Sequence, residues 1–185
     1  MNVNIKRLSP DAQIPAYAHA TDAGFDLVAA ADVIIEPGGT ACVPTGLAFE
    51  IPEGFEMQIR PRSGITLKTK LRVQLGTVDA GYRGEVGLIV DNTAQKDHFI
   101  EYDVNDYGES YVIKRYARDR ILHEVSGKGE IYADSAYLRH TYIIRKGDRI
   151  AQALIKPVEQ AVFTEVDALG DSDRGAGGFG SSGVS

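Results

Sequence analysis

Phe55-Glu-Met-Gln-Ile59 alternates apolar and polar side chains, and Leu71-Arg-Val-Gln-Leu75 repeats the pattern. A period of two turns one face of a strand to a core and the other to water. Working outward from these two segments, short apolar stretches recur at residues 3–8, 25–29, 33–36, 41–43, 47–51, 85–90, 141–145, 150–156 and 162–166. Pro-Gly, Pro-Glu-Gly and Ala-Gly steps punctuate them, as turns between strands require. Many short strands without repeated helical segments point to an all-β chain: an antiparallel sandwich, jelly roll or barrel, not a βαβ architecture.

The 185 residues, 43% hydrophobic and 25% charged, suit one domain with or without an insertion. A net charge of -6 lacks the surplus of Lys and Arg that displaces counterions from a polyanion. We therefore expect no direct nucleic-acid partner and no membrane surface. A small anionic substrate remains compatible, because a pocket can be locally basic on an acidic protein. The chain shows no signal-like or membrane-spanning apolar run, and a cytoplasmic location is expected. Cys42, flanked by Ala41 and Val43, reads as a buried, inert thiol.

Between residues 95 and 140 the composition shifts. Six of the nine tyrosines and three of the four histidines, His98, His123 and His140, lie in or beside this stretch. Residues 109–125 carry Ile113, Ala117 and Ile121 at a spacing of four, which fits an amphipathic helix, although the start, YVIKRY, also fits a strand. The histidines lack the tight spacing of zinc ligands. For 96–139 three readings stay open: packed structure, a surface elaboration, or a surface for a protein partner, since tyrosine favours interfaces. Residues 170–185, rich in Gly, Ser and Asp, read by composition as a flexible tail.

Five segments carry candidate chemistry, and each has an ordinary reading beside it. In Arg60-Pro-Arg-Ser-Gly64, Arg62 offers a fork of donors for phosphate, Ser63 can cap a short helix, and Gly64 permits close backbone approach. Taken alone, a capped turn with a solvated arginine is the simpler reading of this segment. Residues 76–85 read as a broad hairpin turn, in which Asp79 and Gly81 are normal turn residues; Asp79 could also hold a water as general base. Asp26 could cap a turn or contact Mg2+ through water. In Lys146-Gly-Asp-Arg-Ile-Ala-Gln152, Asp148 and Arg149 could pair across a turn, while Gln152, opposite in facing to Ala151, could reach a phosphate. In residues 174–183, a disordered tail explains the glycines and serines but not Phe179. An arm closing over a nucleotide would use the backbone, Arg174 and a stacking ring.

Taken together and in order, ATDAGFDLVAA, RPRSG, GTVDAGYRGEV, KGDRIAQ and RGAGGFGSSG resemble the five motifs of the trimeric dUTPase family. The match spans residues 1–92 and 141–185. The resemblance implies a jelly-roll subunit, a homotrimer, and hydrolysis of dUTP to dUMP and pyrophosphate. That reaction limits uracil in DNA and supplies dUMP for dTTP synthesis. It implies that Asp79 is the general base for attack at the α-phosphorus and that Tyr82 lies under the deoxyribose. The backbone around Gly76, Val78 and Gly87 would read uracil. Arg62, Ser63, Gly64 and Gln152 would bind phosphates. Arg174, Gly180, Ser181 and Ser182 would join them from the arm, with Phe179 over the base. Asp26 would contact Mg2+ through water.

The resemblance divides the chain into a β core at 1–95 and 140–169, an inserted module at 96–139 and a closing arm at 170–185. About forty extra residues separate the third and fourth motifs, which resembles, in position more than sequence, an insertion in some dUTPases of Gram-positive bacteriophages. A bacterial origin stays open as well. A dCTP deaminase shares the fold, but PRSG, Asp79 and Tyr82 fit the pyrophosphatase better. A regulator that binds protein through the insertion is the alternative from another class.

Overall fold

The computed structural model describes residues 1–107, 109–126 and 129–177. They form an all-β jelly roll with one short helix. One four-stranded sheet has the order β2 (Phe25–Val28), β15 (Arg149–Pro157), β6 (Phe55–Pro61), β8 (Gly76–Asp79). A three-stranded sheet places β9 (Gly87–Asn92) between β4 (Thr40–Pro44) and β7 (Leu71–Val73). A smaller pair joins β1 (Asn4–Arg7) to β5 (Leu47–Glu50). The helix α1 (Ser63–Lys68) follows β6 directly.

The period of two appears in the burial. On β6, Met57 and Ile59 are buried, while Glu56, Gln58 and Arg60 turn to the other face and remain half-buried. Leu27, Val43, Leu71, Leu88, Ile144 and Ile150 fill the same core. Each such side chain contributes about 1.5–3 kcal/mol by leaving water. Polar groups that enter the core are paired. The Thr45 hydroxyl donates to the Val86 carbonyl at 2.6 Å and accepts from the Leu47 N–H at 3.2 Å. The Asn92 amide donates to the Ile35 and His140 carbonyls, both at 2.9 Å, and accepts from the Ala94 N–H at 3.1 Å. Gly46 has φ +67, and a Cβ there would stand 2.8 Å from that of Ala12, so both conformation and space call for glycine.

Residues 98–138 hold four strands. β10 (His98–Val104) and β11 (Ser110–Tyr116) form an isolated hairpin. β12 (Arg118–Glu124) and β13 (Glu130–Leu138) pair with each other, and β12 then lies parallel to β14 (Tyr142–Ile144), itself paired with β3 (Val33–Ile35). Leu122, Val125 and Leu138 are buried at this junction. Among the described residues, no helix is long and apolar enough to cross a membrane.

Four expectations are corrected. The amphipathic helix at 109–125 is β11 and β12; Ala117, in the middle of the supposed helical stripe, is the corner between them, and its N–H donates to the Asp97 carbonyl at 2.8 Å. The β-branched and aromatic content favours paired strands over a helix there. Residues 162–166 form no strand, because that segment meets no sheet edge, and Val162 and Phe163 are each 93% exposed. Cys42 is exposed, not buried: its neighbour Val43 points into the core, so alternation on β4 turns the thiol outward. Residues 76–85 are more than a turn. The flanking strands β7 and β9 do pair, but the connection contains β8, which leaves them to pair with β6.

Candidate active site

The outer face of the four-stranded sheet carries most of the candidate residues. Direct partners across an antiparallel ladder share a face. Gln152 is the partner of Asp26 on one side and of Arg60 on the other. Four residues further along β6, Glu56 is the partner of Lys156 and Asp79. Candidate phosphate ligands thus gather at one end of this face, and the candidate base stands at the other.

At the first end, Asp26 accepts from two arginines: Arg62 Nε at 2.9 Å and Arg149 Nη1 at 3.4 Å. Arg62 Nη1 also donates to the Arg149 carbonyl at 2.8 Å. Arg149 therefore reaches Asp26 across the sheet. The Asp148 carboxylate accepts from the Arg145 N–H at 2.9 Å within its own turn. Gln152 Nε2 donates to the Pro61 carbonyl at 3.1 Å. Arg62, not Ser63, is the N-cap residue of α1, with extended φ −91 and ψ 134, so Ser63 begins the helix and does not cap it. The first intrahelical bond comes from Thr66 N–H to Arg62 carbonyl, leaving the N–H groups of Ser63 and Gly64 without helical acceptors. A Cβ on Gly64 would meet nothing within 4 Å, so the space beside it is open. These residues line a cleft of about 460 Å³, to which Arg60, His19 and Asp22 also contribute. Arg60 and Arg149 were not expected as site residues. Only the register of β2, β6 and β15 brings them to Asp26 and Gln152.

At the other end, Asp79 closes β8 and is exposed, and its carbonyl accepts from the Tyr82 N–H at 3.0 Å, making a tight turn. The Tyr82 ring folds over Gly84, where a Cβ would meet its hydroxyl at 2.4 Å, and the hydroxyl donates to the Glu85 carbonyl at 3.0 Å. Asp79, Glu53, Glu56 and Glu159 line a cleft of about 720 Å³. β8 is an edge strand, so Gly76 and Val78 lie on a strand with one ladder side open. Gly87 lies on β9 opposite Pro44, in a different sheet, and a Cβ there would come within 2.3 Å of Cys42 Sγ. Arg174 is exposed, with Nε donating to the Gly177 carbonyl at 2.7 Å. Phe179, Gly180, Ser181 and Ser182 lie outside the described residues.

Among known families, a model described as dUTPase matches residues 10–104 and 135–183. The chain belongs to the dUTPase family. The family match omits residues 105–134, the greater part of the two extra hairpins. Among curated relatives, the deoxyuridine 5'-triphosphate nucleotidohydrolase of Thermobifida fusca is 40% identical over 99% of this chain and 79% of its own length. Among solved structures, the Staphylococcus bacteriophage 80alpha dUTPase with dUPNHPP superposes with a TM-score of 0.82 at 33% identity, covering 99% of both chains. It is described among phage dUTPases that control transfer of virulence genes by a proto-oncogenic G protein-like mechanism. A mutant dUTPase from phage phi11 of S. aureus, described with a structural Mg(II) ion, has a TM-score of 0.74 at 29% identity, covering 91% of this chain and 98% of its own. In this dUTPase-family chain the candidate residues thus lie at the two ends of one sheet face.

Proposed function

We propose that the protein hydrolyses dUTP to dUMP and pyrophosphate in the cytoplasm, at sites formed between copies of a homotrimer. The observation that carries this reading is the separation of the two clusters along β6. From Glu56, the partner of Asp79, to Arg62 is six residues, about 20 Å of extended strand. The candidate base and the candidate phosphate ligands thus stand at opposite ends of one sheet face, which suits a site that takes Asp79 from one copy and Arg62 from the next. Glu53, Glu56 and Asp79 make one end acidic, while at the other Arg60, Arg62 and Arg149 outnumber Asp22 and Asp26. Head-to-tail contacts of this kind form a ring when the rotation between copies closes, as a homotrimer requires.

In each composite site, Asp79 takes the proton of the attacking water while Arg62, the Ser63 and Gly64 N–H groups and Gln152 fix the phosphates for in-line attack. Tyr82 supports the deoxyribose, and the open backbone edge at Gly76 and Val78, with Gly87, reads uracil. Arg174, Phe179, Gly180, Ser181 and Ser182 close the site from the third copy and keep bulk water out. No three His, Cys, Asp or Glu side chains gather into a metal cage among the described residues. Asp26, with its carboxylate in the cleft, therefore suits Mg2+ that would arrive with the phosphates and keep its waters. When bound, the ion would offset phosphate charge.

Product analysis with dUTP, dCTP, dTTP and UTP, with and without Mg2+, tests the activity. The expected result is dUMP and pyrophosphate from dUTP alone. Ammonia and dUTP from dCTP would instead identify a deaminase.

A second reading applies to residues 96–139. The hairpin of β10 and β11 leaves Ile100, Tyr102, Val104 and Val112, which share one face, between 56% and 75% exposed, an apolar surface that suits a protein partner. Capture of a partner by the full chain and not by a chain lacking 96–139 is expected; equal capture by both removes this reading.

A further inference from the structure

Three arginines line the phosphate-end cleft, and they differ in what neutralises them. Arg62 and Arg149 both face the carboxylate of Asp26. Arg60 has no carboxylate partner among the described residues. Its Nη2 donates to a neutral acceptor, Gln58 Oε1, at 2.7 Å. The amide of Gln58 then donates through Nε2 to Glu56 Oε1 at 2.5 Å. Glu56, Gln58 and Arg60 are alternate residues of β6, so the three side chains run as one ladder along the outer face. The ladder has a direction. The amide oxygen faces the cation and the amide nitrogen faces the anion; a reversed amide would set donor against donor. Gln58 thereby holds the Arg60 side chain in place without cancelling its charge. Arg60 stands beside Gln152 in the ladder, and Gln152 beside Asp26.

We propose that Arg60 is an additional anion-binding residue for the substrate's phosphate chain, and that Gln58 is the positioning residue that aims it. This rests on reading the cleft as the phosphate site. A fixed guanidinium with free N–H groups binds phosphate more strongly than one already paired, because no ion pair must be broken first. The cleft's two other arginines share one carboxylate, so Arg60 supplies the cleft's unshared positive charge.

The experiment uses the whole chain and two probes, inorganic tripolyphosphate and 2'-deoxyuridine, as competitive inhibitors of dUTP hydrolysis. Loss of one charge-assisted contact in Arg60→Met should weaken tripolyphosphate inhibition and raise KM for dUTP about tenfold. The kcat should stay within about twofold and deoxyuridine inhibition should not change, the signature of lost ground-state phosphate binding. Arg60→Lys should recover much of the loss. Gln58→Glu keeps Arg60 but pairs it with a carboxylate, and should reproduce the phosphate-specific weakening. Gln58→Leu, which frees Arg60 without neutralising it, should fall between this variant and the unsubstituted protein. Unchanged tripolyphosphate inhibition in both Arg60→Met and Gln58→Glu would overturn the assignment, as would equal weakening toward both probes. Calorimetric binding of tripolyphosphate to the same variants separates the two readings. A protein that binds tripolyphosphate through Arg60 but leaves dUTP intact refutes the proposed activity and keeps the anion site. Turnover of dUTP with Arg60 indifferent does the reverse.

Discussion

Glu56 and Asp79 are direct partners in the β6–β8 ladder, which holds the candidate base at the end of β6 remote from Arg62. A division of labour between copies can be read from activity in mixtures. Asp79→Asn and Arg62→Ala chains should each be inactive as pure assemblies. Co-refolded in equal amounts, they should recover about a quarter of the wild-type rate, the share of composite sites that draw an intact Asp79 and an intact Arg62 from different copies of a ring. A mixture as inactive as its parents would show that one chain holds the whole site.

For the base itself, Asp79→Asn alone should lower kcat by at least about 10² while leaving the assembly intact, because the amide cannot accept the proton of the attacking water. Asp79 is exposed at the end of an edge strand, so the fold does not depend on its charge. Steady-state kinetics with size-exclusion chromatography checks both halves; near wild-type turnover sinks the mechanism.

Removal of residues 173–185 should abolish efficient turnover without lowering the melting temperature. Among the described residues, Arg174 and Gly175 bond within their own turn: Arg174 Nε to the Gly177 carbonyl and the Gly175 N–H to the Ser172 carbonyl and hydroxyl. The deletion thus takes no described support from the core. Unchanged kinetics in the truncated chain would remove the arm from the mechanism.

Asn92 ties three parts of the chain together, being 1% exposed and bonded to Ile35, His140 and Ala94. Asn92→Ala strands the buried Ile35 carbonyl and leaves the part-buried His140 carbonyl and Ala94 N–H without this partner, and should cost about 1–3 kcal/mol of stability. Urea unfolding at matched chain concentration measures it, since assembly contributes to apparent stability. A midpoint within error of wild type would mean that water replaces the amide.

The strands were legible where alternation meets a buried face, as in Met57 and Ile59 against Gln58 and Arg60. Alternation failed at Val162 and Phe163, because a strand also needs an edge to pair with. It misled at Cys42, where apolar sequence neighbours point away from the thiol. The insertion was ambiguous because Ile113 and Ile121 satisfy both periods, and only pairing decides between them. At the site, motif order named Asp26, Arg62 and Asp79. It could not show that Arg149 reaches Asp26, since that contact joins strands 123 residues apart in sequence. Nor could it show that the candidate base and the candidate phosphate ligands occupy opposite ends of one sheet face.

Asp32 provides a pH test outside the site. Its carboxylate accepts from the Lys146 N–H at 2.7 Å and from Arg145 Nη1 at 2.6 Å. The Lys146 N–H first, and the Arg145 guanidinium second, hold its carboxyl below the ordinary aspartate value. A carboxyl depressed in the folded state stabilises fully above its unfolded value, and that contribution disappears as pH falls through the lower folded value. Asp32→Asn should therefore lower the melting temperature at pH 7, and the difference should shrink below about pH 4. Because Asp32 is largely exposed, salt should shrink it too. A melting difference that is the same at pH 7 and pH 3 would mean that packing of the side chain, not its charge, joins the turn at Lys146 to β3.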